Sequence, residues 1–88
     1  MLRITETEAH GVVTLKLEGK LVGAWVAEAE AIVAAKAVAG PVRLNATELQ
    51  FADTVGMCLL RSWLLQGIEI SSSNPYSRAL IELARTGC

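Results

Sequence analysis

Five residues, Val42 to Ala46, follow the helix-stopping pair Gly40-Pro41 and are too few to form a helix, so they read as a short buried strand. What surrounds them constrains the fold. Before them, Trp25, Val26, Ala29, Ile32 and Val33 recur on one face of a helix running from about Ala24 to Val38. Lys36 falls near the same face, so this helix is expected to lift from the core in its last turn with the lysine stem snorkelling outward. After the strand, a second helix spans about Thr54 to Gln66 and is closed by Gly67. A strand entered and left through helices pairs in parallel with its neighbours, by right-handed crossovers.

The ends of the chain supply the other elements. Leu2, Ile4, Val13, Leu15 and Leu17 set a period of two across Leu2 to Thr7 and Val12 to Glu18, with Glu8 to Gly11 as the turn of a β-hairpin. Gly19 and Gly23 bracket the entry to the first helix. Ile68 to Ser72 reads as a last short strand, and Asn74-Pro75 opens a C-terminal helix with Asn as cap and Pro in the first turn. Tyr76, Ala79, Leu80 and Leu83 are expected to pack inward there, with Arg78, Glu82 and Arg85 toward water. The order is ββαβαβα: a small mixed α/β sheet, N-terminal hairpin plus two β-α-β crossovers, packed with three main helices. At 88 residues this is one domain, 1-88, able to bury roughly 60 to 65% of its unfolded surface.

Composition narrows the function. Eight Lys and Arg against nine Asp and Glu leave a net charge of -1, which offers no field for nucleic acid or acidic membranes. Leu21 to Ala39 is the longest nearly apolar stretch, but Glu28, Glu30 and Lys36 interrupt it as in an amphipathic helix, so no membrane insertion is expected. Two cysteines 30 residues apart, with no CxxC pair and no signal peptide, point to a reducing cytoplasm and argue against a structural disulfide. Apolar residues make up 52% of the chain and aromatic ones 5%, so Ala, Val and Leu build the core, with Trp25 and Trp63 supplying its bulk.

One segment carries chemistry. In Asp53-Thr54-Val55-Gly56 the carboxylate of Asp53 is placed to cap the second helix, by accepting from the backbone of Val55 or Gly56, and Thr54 lies in the first turn. The stretch from Val42 to Gly56 resembles the signature of the STAS domain, the module of anti-sigma factor antagonists: strand, DLS, a short loop, then D-S-x-G opening a helix. Asn45-Ala46-Thr47 lies over DLS and Asp53-Thr54-Val55-Gly56 over D-S-x-G, which puts Thr54 at the family's phosphoacceptor position. Asn45, Asp53, Val55 and Gly56 then support the site. Asn45 replaces the usual Asp, Ala46 a bulkier Leu, Thr54 the commoner Ser, and Val55 a smaller residue; Gly19-Lys20-Leu21-Val22 resembles the G-x-L-D entry to the first helix, with Val22 for Asp. The resemblance covers nearly the whole chain and implies the same STAS-like fold. It also implies a partner, an anti-sigma factor or serine-threonine kinase of histidine-kinase-like ATPase fold, that binds the unmodified domain and releases the phosphorylated one.

On the central helix, Leu59, Leu60 and Trp63 are assigned to the sheet. Met57, Cys58, Leu64 and Leu65 surround Arg61 on the other side and read as a docking patch for a protein partner or for a homodimer, or as a surface partly covered by the C-terminal helix. Met57, Cys58, Arg61 and Leu65 are the partner-binding candidates. His10 reads as a surface turn residue, Cys58 lacks the neighbours of a nucleophile, and Ser71-Ser72-Ser73 reads as a strand end and helix cap. Nothing calls for a metal or another cofactor, and no set of catalytic groups marks an enzyme. Two readings compete: a cytoplasmic partner-switching protein acting through Thr54, and an accessory subunit resembling the small STAS proteins that bind the ATPase of a bacterial lipid-transport system, using Thr54, Met57 and Arg61 without turnover.

Overall fold

His10 and Gly11 both adopt positive φ, 54° and 78°, the backbone that a two-residue hairpin turn of type I′ demands. The turn is therefore shorter than the four residues expected, and the strands on either side run its full length: β1 (Leu2–Ala9) and β2 (Val12–Leu21). In the computed structural model, which describes residues 1–87, α1 (Ala24–Ala39), β3 (Val42–Ala52), α2 (Thr54–Leu65), β4 (Glu69–Ser71) and α3 (Pro75–Thr86) follow. The sheet order is β1-β2-β3-β4, antiparallel within the hairpin and parallel from β2 to β3 and from β3 to β4. This is the mixed α/β architecture, in the order ββαβαβα, that the pattern of elements requires.

β3 departs from expectation. It does not end at Ala46 but runs on to Ala52, and its register with β2 shifts twice, between Lys16 and Glu18 and between Gly19 and Lys20. Each shift inserts an extra residue in β3, so its buried positions fall at Leu44, Ala46, Leu49 and Ala52 rather than at strict alternation. The Asn45 side chain accepts from Thr47 N–H at 3.0 Å and so supports the backbone beside the first bulge.

One core joins Leu15, Leu17 and Leu21 of β2 to the buried face of β3, to Val26, Ala29 and Val33 of α1, to Leu59, Leu60 and Trp63 of α2, and to Ile81 and Ala84 of α3. The alternate positions of the sheet, among them Arg3, Thr5, Lys16 and Arg43, are half-buried or exposed. Trp63 is buried to 2% exposure, but Trp25 stands 36% exposed and contributes much less to the core than expected. The inward face of α3 is also corrected. Ser77, Leu80, Ile81 and Ala84 are buried, whereas Tyr76, Ala79 and Leu83 are exposed. The reason is local: Ser77 Oγ finds hydrogen-bond partners in Ser72 Oγ and the Asn74 carbonyl, so a small polar residue enters the core and turns the helix away from Tyr76. Asn74 caps α3 by accepting from Tyr76 N–H at 2.9 Å, with Pro75 in the first turn, as expected. Lys36 is half-buried and pairs with Glu6 at 2.8 Å across the edge of the sheet.

Candidate functional site

The start of α2 is built from three backbone contacts. Asp53 N–H donates to the Leu21 carbonyl at 3.2 Å, which joins the end of β3 to the end of β2. The Asp53 carboxylate then divides its two oxygens: Oδ1 accepts from Gly56 N–H at 2.8 Å and caps α2, while Oδ2 accepts from Gly23 N–H at 3.0 Å, thirty residues away at the start of α1. No side chain of α1's own N-cap residue caps that helix. One carboxylate therefore ties together the amino ends of two helices, and the N–H groups of Gly56, and next of Gly23, hold its pKa below the ordinary carboxylate value.

Gly56 is required by a close approach. A Cβ there would lie 2.3 Å from the Leu21 carbonyl oxygen, so only glycine lets α2 settle this near β2. With Gly56 buried and Asp53 turned to its two donors, Thr54 and Val55 are left outward, Val55 at 62% exposure. Thr54 is the first residue of α2 and exposed, where the unpaired N–H groups and the positive end of the helix dipole favour an anion.

The other expected residues are dispersed. Asn45 is not brought to the site: between its β2 partner Lys16 and Leu21, the partner of Ala52, lie five strand steps, or about 17 Å. Its role here is local, to the bulge of β3. Met57 is half-buried and packs against the core, as does Leu64, while Leu65 is 74% exposed. Arg61 is turned inward along the surface, its guanidinium donating to the Arg85 carbonyl in the last turn of α3, where a cation meets the negative end of that helix. Arg61, Leu64, Leu65 and Arg85 line the shallow hollow between α2 and α3. Of the patch expected around Arg61, the arginine itself is thus engaged with α3, while Leu65 stays exposed.

Cys58 is half-buried and disulfide-bonded, which overturns the expectation of no disulfide; the other cysteine of the sequence, Cys88, lies outside the described residues. Cys58 also lines a groove of about 220 Å3 with Val55, Leu59 and Ser62 on one side and Val26 and Glu30 of α1 on the other. Sequence reasoning missed Gly23 and Leu21. The glycine that opens α1 without a capping side chain was the available signal for the first.

No family model matches the chain, and no curated protein does. Among solved structures it is similar to the protein described as "Crystal Structure Analysis of Mglu", with a TM-score of 0.55 and 21% identity over 81% of this chain. The chain spans 19% of that protein's length. At this identity the likeness is one of fold alone. Among the described residues, no helix is long and apolar enough to cross a membrane.

Proposed function

We propose that this chain is a regulatory protein-binding module of the STAS type, similar to an anti-sigma factor antagonist and without catalysis of its own. It docks a protein partner through the start of α2 and the groove beside it, and phosphorylation of Thr54 switches the contact off. The observation that carries this reading is the exposed Thr54 in the first turn of α2, next to Asp53. A phosphate there adds about -1.5 to -2 charges beside a carboxylate held ionised by its two N–H donors. A partner seated on Thr54 and Val55 then meets an anionic surface where it had met a weakly polar one. The partner that fits this cycle is an anti-sigma factor that is also a serine-threonine kinase, of histidine-kinase-like ATPase fold.

The test is intact mass and a phosphate-affinity gel after incubation with that kinase and ATP. The expected result is one added phosphate, lost in Thr54→Ala, and release of the complex on modification. An unmodified protein, or a complex indifferent to the phosphate, refutes the switch. Val55, branched and exposed beside Thr54, favours a second reading in which the same surface makes a lasting contact as an accessory subunit of a lipid-transport ATPase. Co-purification with an ABC ATPase, lost in Thr54→Glu and unaffected by kinase, selects that reading.

A further inference from the structure

The two edges of the sheet are unequal: β4 offers three residues and β1 eight, with no proline and, among the described residues, no strand along its outer side. Lys20 N–H donates to the Met1 carbonyl, which makes Met1 a hydrogen-bonded partner of β2; alternate residues follow suit, so Leu2, Ile4, Glu6 and Glu8 turn their N–H and C=O groups outward. Above this edge, Leu2 and Ile4 join Trp25, Glu28, Ala29 and Ile32 around an open hollow of about 150 Å3. Trp25, Glu28, Ile32 and Lys36 form one stripe along α1 that faces the edge.

We propose that this edge is the interface of a two-fold homodimer, in which β1 pairs antiparallel with β1 of a second copy about Ile4 and the two hollows merge into one apolar cleft. The occupant is a second copy because the charges suit one. A two-fold axis normal to the sheet keeps all helices on one side and sets residues of like parity opposite each other. Centring the pair on Arg3, Glu6 or Thr7 sets like charges face to face, and centring it on Leu2 pairs only the first three residues. Centring it on Ile4 sets Ile4 against itself, Arg3 against Thr5 and Leu2 against Glu6.

The charges on α1 choose between Ile4 and the remaining centre, Thr5. Glu28 and Lys36 are about 12 Å apart along the helix. Lys36 is level with Glu6, about 7 Å beyond Ile4, so Glu28 lies about 5 Å before it. The axis at Ile4 carries the second copy's Glu28 to within about 2 Å of the level of Lys36, whereas an axis at Thr5 misses by about 5 Å. Since α1 packs on β2 and also touches β3, the two helices stand at least three strand spacings, or about 14 Å, apart. That gap is too wide for direct helix packing. It suits Trp25 and Ile32 as filling and Glu28 to Lys36 as a bridge on each side.

This inference is independent of the reading of Thr54. Sedimentation of the full chain should show a concentration-dependent dimer, and Glu28→Lys should raise its dissociation constant at least tenfold while leaving the circular dichroism unchanged. Ile4→Cys should give a covalent dimer on mild oxidation that wild type and Thr5→Cys do not, because opposed residues of a hydrogen-bonded antiparallel pair lie within disulfide reach. A monomer at near-millimolar concentration overturns the proposal. So does a dimer insensitive to Glu28→Lys, cross-linking at Thr5→Cys instead of Ile4→Cys, or an edge that takes up extended peptide while the chain stays monomeric.

Discussion

Gly56→Ala separates packing from propensity, because the two predict opposite signs. An added Cβ would lie 2.3 Å from the Leu21 carbonyl oxygen and 3.2 Å from both Ala52 Cβ and Leu21 Cγ. Ordinary contact with the oxygen requires α2 to withdraw by about 1 Å. The carbonyl cannot step aside, since it belongs to the sheet and accepts from Asp53 N–H. Overpacking of this kind costs about 3 kcal/mol, at the upper end of the usual range, while alanine in place of glycine in a helix returns about 1 kcal/mol. The net loss is about 2 kcal/mol, which for a domain of this size lowers Tm by about 10 °C. Urea and thermal unfolding followed by circular dichroism will measure it, with Gly40→Ala as control because a Cβ there meets nothing within 4 Å. A Gly56→Ala protein as stable as wild type, or more so, refutes the close approach of α2 to β2.

Three further outcomes follow from the same geometry. Asp53→Asn should lower the urea midpoint at neutral pH; because the folded carboxyl titrates below its ordinary value, the gap from wild type should hold above the normal carboxylate range and close as pH falls through the lowered pKa. A gap that widens on acidification contradicts the two N–H donors. Trp63→Ala should cost about 3 to 5 kcal/mol and Trp25→Ala less than about 1 kcal/mol in dilute protein, measured by the same unfolding curves. Arg61→Ala should cost about 1 kcal/mol and speed hydrogen exchange in the last turn of α3, with α1 unaffected.

Where the sequence carried a local signal, the fold was legible. Period-two alternation marked the hairpin, Gly40-Pro41 ended α1, and Asp53 and Asn74 cap α2 and α3 as their positions suggested. β3 was read too short because its two bulges space the buried residues as 44, 46, 49 and 52, a pattern that is neither strand-like nor helical by count. The face of α3 was misjudged because hydropathy favours Tyr76 over Ser77, and only the tertiary partners of Ser77 reverse that order. Asn45 looked adjacent to Thr54 through the motif, yet an extended β3 carries the two apart. The bond from Gly23 to Asp53 spans thirty residues, and its one local trace is a helix opened by a glycine that has no side chain to cap it.

That bond bears on how the candidate site divides its labour. Gly56 is buried against the end of β2, and the half-buried Asp53 is engaged with the ends of β2 and α1, so their substitution disturbs the frame before it disturbs any docking surface. Thr54 and Val55 face outward, and changes there should leave the stability within about 0.5 kcal/mol of wild type. A partner that loses affinity for Thr54→Glu at unchanged stability is reading the surface itself. If affinity and stability instead fall together, the partner is reading the frame, and the recognition surface must extend across Gly23 to α1.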